Sequence, residues 1–199
     1  MTTAPFLRLH DPAQCPAHDE PKCTARKGVQ PNTNRGTPMP ENFAGGLNGN
    51  ARETAIDTLN TCLAGTIALT LAVKQAHWNL KGSSFIGIHE LLDDQADMLR
   101  ENADEMAERC VIIGGVAKGT VQDAARSEIV EPYPTDIIAW QNHVSALKSR
   151  YMSLGARLRS AIEEIEEAGD VDTADLLTGA SRAIDKGAWF IGAHIEGSA

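Results

Sequence analysis

From about residue 51 onward, apolar and small residues recur every three or four positions, the period of an amphipathic helix. In the segment 51–80, Ile56, Leu59, Leu63, Thr66, Thr70, Val73 and His77 fall on one helical face. In 85–113, Leu92, Ala96, Leu99, Ala103, Met106, Cys110 and Ile113 repeat the same spacing, which is the seam of a helical bundle. A third helix is predicted after the PYPTD turn and runs to about Ala168, with Ile138, Leu147, Tyr151, Leu154, Leu158 and Ile162 toward the core. A fourth opens at Asp172 as N-cap and ends near Glu196. Gly82, Gly114-Gly115, Pro132/Pro134 and Gly169 mark the breaks between them.

Residues 114–133, between the second and third helices, are enough to cross the bundle, with a short helix expected at 120–126. Four long helices with one long crossover predict an all-α, ferritin-like antiparallel four-helix bundle over 51–199. Residues 1–50 are different. They hold seven prolines and the GGLNGN stretch without any period, so a flexible, irregular N-terminal extension is expected there.

Charge narrows the function classes. At 199 residues and net charge −9, the chain suits cations better than electrostatic wrapping of nucleic acid by its body. Its apolar runs are short or broken by Thr, Lys and His, so the expectation is a cytoplasmic chain with no membrane partner. Four scattered cysteines do not make a disulfide framework, and Cys62 and Cys110 read as buried thiols.

The candidate chemistry lies in His77, His89, Asp93, Asp104 and Glu108. Taking His89 as zero on a helical wheel, Asp93 lies at about 40°, Asp104 at about 60° and Glu108 at about 100°, all on one face. The seam residues of that helix centre about 120° away, so this acidic face looks out of its own bundle. Asp93 and Asp104 are separated by about 16 Å of helix rise, whereas carboxylates bind a first-row metal at about 2.0–2.2 Å. One chain cannot close that gap. Two copies packed antiparallel about an axis near Met98 and Leu99 can, bringing His89 and Asp93 of one to Asp104 and Glu108 of the other and creating two identical sites. His77 turns back over the KGSS connection to join His89, and imidazoles with carboxylates suit iron. The same residues also fit a solvated acidic helix face and a hydrogen-bonded core histidine.

The strings KQAHWNLKGSSFIGIHELLDD, DEMAERCVIIGGVAKGT, EPYPTDI and DTADLLTGASRAIDKGAWFIGAHIE resemble the Dps family, the DNA-binding proteins from starved cells, over roughly 52–197. The resemblance implies a hollow dodecamer that oxidises ferrous iron, preferentially with hydrogen peroxide, and stores the ferric mineral. It implies that His77, His89, Asp93, Asp104 and Glu108 form a ferroxidase centre shared between two subunits. Trp78 matches a tryptophan beside that centre which takes up stray oxidising equivalents, although an aromatic core anchor fits the sequence equally. Acids near the start of the fourth helix line iron-entry pores in that family, making Asp170, Asp172 and Asp175 weak candidates.

Ferritins and bacterioferritins build their site within one bundle from Glu-x-x-His motifs. Here Lys74, Ile86, Trp140 and Ile191 stand three residues before His77, His89, His143 and His194, so that arrangement is absent. His143 and His194 read as structural or surface residues. Family members commonly bind DNA through a short Lys-rich N-terminus. This chain has about fifty residues there, and Lys22, Arg26, Lys27 and Arg35 form a basic segment with no acid between 21 and 40. Many such tails on one shell could hold DNA by avidity, on the nucleoid. In the same region His10, Cys15, His18 and Cys23 supply a two-Cys, two-His zinc set at a spacing that matches no standard finger, and a tail with incidental thiols fits as well.

Overall fold

The computed structural model describes residues 40–195, and within them it is all-helical apart from loops. The zinc-set residues His10, Cys15, His18 and Cys23, and the basic residues Lys22, Arg26, Lys27 and Arg35, lie outside the described residues. The elements are α1 (Gly49–Asn79), α2 (Phe85–Ile112), the short α3 (Val121–Ala125), α4 (Trp140–Ala168) and α5 (Val171–Gly192). Helices α1 and α2 form one hairpin and α4 and α5 another, and α1 packs on α4 while α2 meets α5. This closes the expected ferritin-like four-helix bundle.

The crossover runs along α1. At its start, the carbonyl of Val116 and the amide of Lys118 are held by Asn60, in the N-terminal half of that helix. At its end, Lys81 donates to the Ile138 carbonyl at 2.9 Å and accepts from Trp140 at 3.1 Å, beyond the far end of the same helix. Between them α3 is closed by a capping box of Thr120 and Asp123.

The core is the seam read from the sequence. Leu92, Ala96, Leu99, Ala103, Met106, Cys110 and Ile113 are all buried, facing Leu59, Leu63 and Val73 of α1 and Leu147, Tyr151, Leu154 and Leu158 of α4. Each buried leucine contributes about 1.5–3 kcal/mol. Cys62 and Cys110 are both free and buried, and burial pushes the Cys62 thiol up to about 11. By length and composition α1 could cross a membrane, but 67% of its most apolar window is buried in the bundle, so its apolarity is that of a core helix.

Four local expectations are corrected. Helix α1 begins at Gly49, where Asn48 caps it by accepting from the Ala51 amide. Ile138 lies before α4 and is 55% exposed; its backbone is used to pair with Lys81 while Ala161 and Ile165 join the core further along. The cap of the last helix is Asp170, not Asp172, because Gly169 ends α4 at φ 94° and leaves a single residue before α5. That helix ends at Gly192, four residues before Glu196.

Candidate metal centre

The α1–α2 turn decides how the two histidines meet. Gly82 sits at φ +132°, and a Cβ there would lie 2.4 Å from Trp140 Cδ1, so only glycine lets the first residue of α4 pack over the turn. The turn returns the chain with His89 alongside His77. Each ring then donates from Nδ1 to the other residue's backbone carbonyl at 3.0 Å. A carbonyl can only accept, so both Nδ1 atoms carry protons and both Nε2 atoms keep a free lone pair. The rings stack with centroids 3.7 Å apart and an interplanar angle of 20°. These reciprocal bonds fix ring orientation as outer-shell bonds do in metal sites.

Asp93 lies one helical turn beyond His89 and completes a cluster with the two histidines, whose ligand atoms all fall within 4.8 Å of one another. Its Oδ1 accepts from Lys74 Nζ at 2.6 Å and sits 3.6 Å from His77 Nδ1. The Lys74 hydrogen bond holds the Asp93 carboxyl below its ordinary value, outweighing desolvation, which acts in the opposite direction. A cation entering this cluster therefore finds an ionised carboxylate, one of whose oxygens is already held by an ammonium.

Asp104 and Glu108 are exposed on α2 and join no ligand cluster among the described residues. At 1.5 Å rise per residue Asp104 stands about 16 Å along the helix from Asp93. Within one protomer the five candidates are thus two separate groups. Asp104 borders an open groove lined by Leu63, Ile67, Leu71, Ala103 and Ala107. Leu71 is exposed in the middle of this face, the kind of apolar patch that marks a contact surface.

Trp78 is 68% exposed and cannot be a core anchor. Its ring centroid lies 5.8 Å from Lys74 Nζ, so it flanks the Asp93 ion pair. His143 is buried against Tyr133, and His194 Nδ1 bonds the Phe190 carbonyl; neither belongs to a ligand cluster among the described residues. Asp170 is 2% exposed and bonded to Arg109 at 2.8 Å and to the Thr173 amide, so it is spent on structure, while Asp172 and Asp175 are exposed at the start of α5. The sequence reading missed Lys74. Its signal was the i, i+3 relation to His77, which puts a cation on the helix face that carries a ligand.

A ferritin-like domain model matches residues 56–198. The chain is 46% identical over 150 residues to a DNA protection during starvation protein of Agrobacterium fabrum, covering 75% of this chain and 93% of that one. A protein of the same description from Mycolicibacterium smegmatis is 33% identical over 151 residues, covering 76% and 82%. Among solved structures, the tetragonal form of Mycobacterium smegmatis Dps superposes with a TM-score of 0.75 at 32% identity, covering 80% of this chain and 96% of that one. Dps from Microbacterium arborescens in its high iron form gives 0.69 at 32% identity, covering 74% and 95%.

Proposed function

Since the chain belongs to the ferritin-like family, in the branch of the DNA protection during starvation (Dps) proteins, we propose that it is a ferroxidase and iron-storage cage. It oxidises ferrous iron at sites shared by two copies and keeps the ferric mineral inside a dodecamer. The observation that carries this reading is the half-site: two imidazoles with free Nε2 atoms beside an ionised carboxylate, on a face whose remaining acids stand too far away to join them.

Ferrous iron is the substrate. His77 and His89 bind it through Nε2, Asp93 neutralises its charge, and Asp104 and Glu108 of a second copy complete the site across a two-fold axis. The apolar face around Leu71 is where that copy docks. Hydrogen peroxide is the oxidant: two ferrous ions give one electron each, the O–O bond breaks, and two protons are taken up to form water. Because both electrons are delivered together, no hydroxyl radical is released. Trp78, exposed beside His77, takes up oxidising equivalents that escape. Anaerobic mixing of protein, ferrous iron and peroxide should consume two ferrous ions per peroxide and suppress the spin-trapped hydroxyl adduct. An undiminished adduct would remove peroxide detoxification from the function.

The same cage protects DNA, in the cytoplasm and on the nucleoid. The supporting feature is the acid-free segment with Lys22, Arg26, Lys27 and Arg35, repeated on every copy. In gel retardation the full chain should shift DNA at low salt and lose it at high salt, whereas a truncation beginning at residue 51 should not shift it. Equal shifts by both proteins would take DNA binding away from the N-terminal segment.

A further inference from the structure

Tyr133 and His143 make a contact used by neither the bundle seam nor the proposed centre. Tyr133 lies in the crossover and His143 in the first turn of α4. The Tyr133 hydroxyl is 2.8 Å from His143 Nδ1, and the two rings lie 6.0 Å apart at 18°. His143 is 1% exposed, and its Nε2 has no hydrogen-bond partner.

No carboxylate is paired with this imidazole among the described residues. From the crossover, the ring meets the Tyr133 hydroxyl and the Ile137 carbonyl, which favours the protonated form without closing a bond to Nε2. From α4 comes Arg150, whose guanidinium carbon sits 5.0 Å from the Tyr133 ring centroid and which donates to the carbonyls of Glu131 and Pro132. From the α1–α2 turn, Lys81 pairs with the crossover through backbone atoms. No ion pair among the described residues involves His143.

We propose that the Tyr133–His143 pair is an acid-sensitive latch, which docks residues 131–139 on α4 while the imidazole is neutral and releases them when it is protonated. Whichever tautomer the neutral ring holds, the imidazolium carries a buried Nε2–H that has no hydrogen-bond partner in the docked state. Leaving such a charged donor unsatisfied is costly, and undocking hydrates it. Burial lowers the His143 value below that of a free imidazole. The undocked state therefore binds the proton more tightly. Docking is at full strength above about pH 6.5 and weakens as pH falls below it.

Glu131, Pro132 and Tyr133 form one wall of a second groove, against Ala68, Leu71 and Ala72 of α1. Release of the latch dismantles that wall. A consequent loosening of the cage rests on the proposed two-fold pairing; the latch itself does not.

Hydrogen–deuterium exchange of the assembled full chain, read by mass spectrometry at pH 6.5 and 5.5 with labelling times scaled for intrinsic exchange, tests it. Peptides covering 131–139 should exchange about fivefold faster at the lower pH, the response of one linked proton between its undocked midpoint near pH 6.5 and one unit below it. Peptides from the α2 seam should not change. His143→Asn, which keeps a polar group near Tyr133 but does not titrate, should lose the acid response, and His143→Gln serves as a second neutral variant. No acceleration in the wild type, or an equal acceleration in the folded variants, would overturn the proposal. Failure of two-fold site sharing would show instead as inactive mixed assemblies of complementary half-site variants, with this exchange pattern intact.

Discussion

Asp93→Ala slows the initial rate of ferrous oxidation by on the order of 100-fold or more while leaving the assembled protein's size unchanged. Outer-shell partners of metal sites already cost about 10–100-fold when removed, and Asp93 is a carboxylate within the cluster itself. Its loss leaves two neutral imidazoles, and it frees the Lys74 ammonium, which now bonds Asp93 Oδ1 at 2.6 Å, to repel an incoming cation. The side chain is exposed in the protomer, so folding of the bundle does not depend on it. Asp93→Asn keeps the shape without the charge and should be nearly as slow. Stopped-flow absorbance of ferric formation, alongside size-exclusion chromatography, reads both effects. Wild-type kinetics in either variant would exclude Asp93 from the chemistry.

Asp170→Ala destabilises the fold by about 3–5 kcal/mol, the range for removing one partner of a buried ion pair. Arg109 reaches from the C-terminal end of α2 to Asp170 at 2.8 Å and Thr173 Oγ1 at 2.9 Å, and Asp170 in turn caps α5 through the Thr173 amide. One carboxylate thus ties the C-terminal end of α2 to the N-terminus of α5. Removing it strands a guanidinium whose side chain is only 14% exposed and loses a cap worth about 1 kcal/mol. Asp170→Asn keeps a capping oxygen but no charge, so the difference between the two variants separates the cap from the ion pair. Denaturant midpoints at one fixed protein concentration measure it. A shift within error of zero for Asp170→Ala would show that the pair adds nothing beyond its desolvation cost.

Much of the fold was legible because burial in a bundle leaves a periodic trace. The seven α2 seam residues from Leu92 to Ile113 follow from spacing alone, and so does the outward acidic face. Helix ends were less legible. In GDVDT either aspartate can cap a following helix, and the choice of Asp170 depends on Arg109, which arrives from sixty-one residues away. Ile138 looked like a core residue because hydropathy does not record that its backbone is already pairing with Lys81.

Trp78 carried a usable signal. His77 ends the core stripe, and the next residue points about 100° around the helix, out of the core. Lys74 was harder: its i, i+3 relation to His77 puts it on the ligand face, but its bond to Asp93 joins two helices and leaves no local pattern. At the candidate centre the spacing separates two groups of ligands, but an interface between copies leaves no mark on one helical wheel beyond its exposed apolar residues, such as Leu71.

Mixed assemblies test the sharing of the site most directly. A His77→Ala/Asp93→Ala chain and an Asp104→Ala/Glu108→Ala chain should each be inactive when alone. If the centre is built across a two-fold interface, every mixed pair regains one intact site of two. Random co-assembly makes half of the pairs mixed, so ferrous oxidation should recover to about a quarter of the wild-type rate. Mixed cages, verified by mass, that stay as inactive as either parent would contradict a centre completed by a second copy.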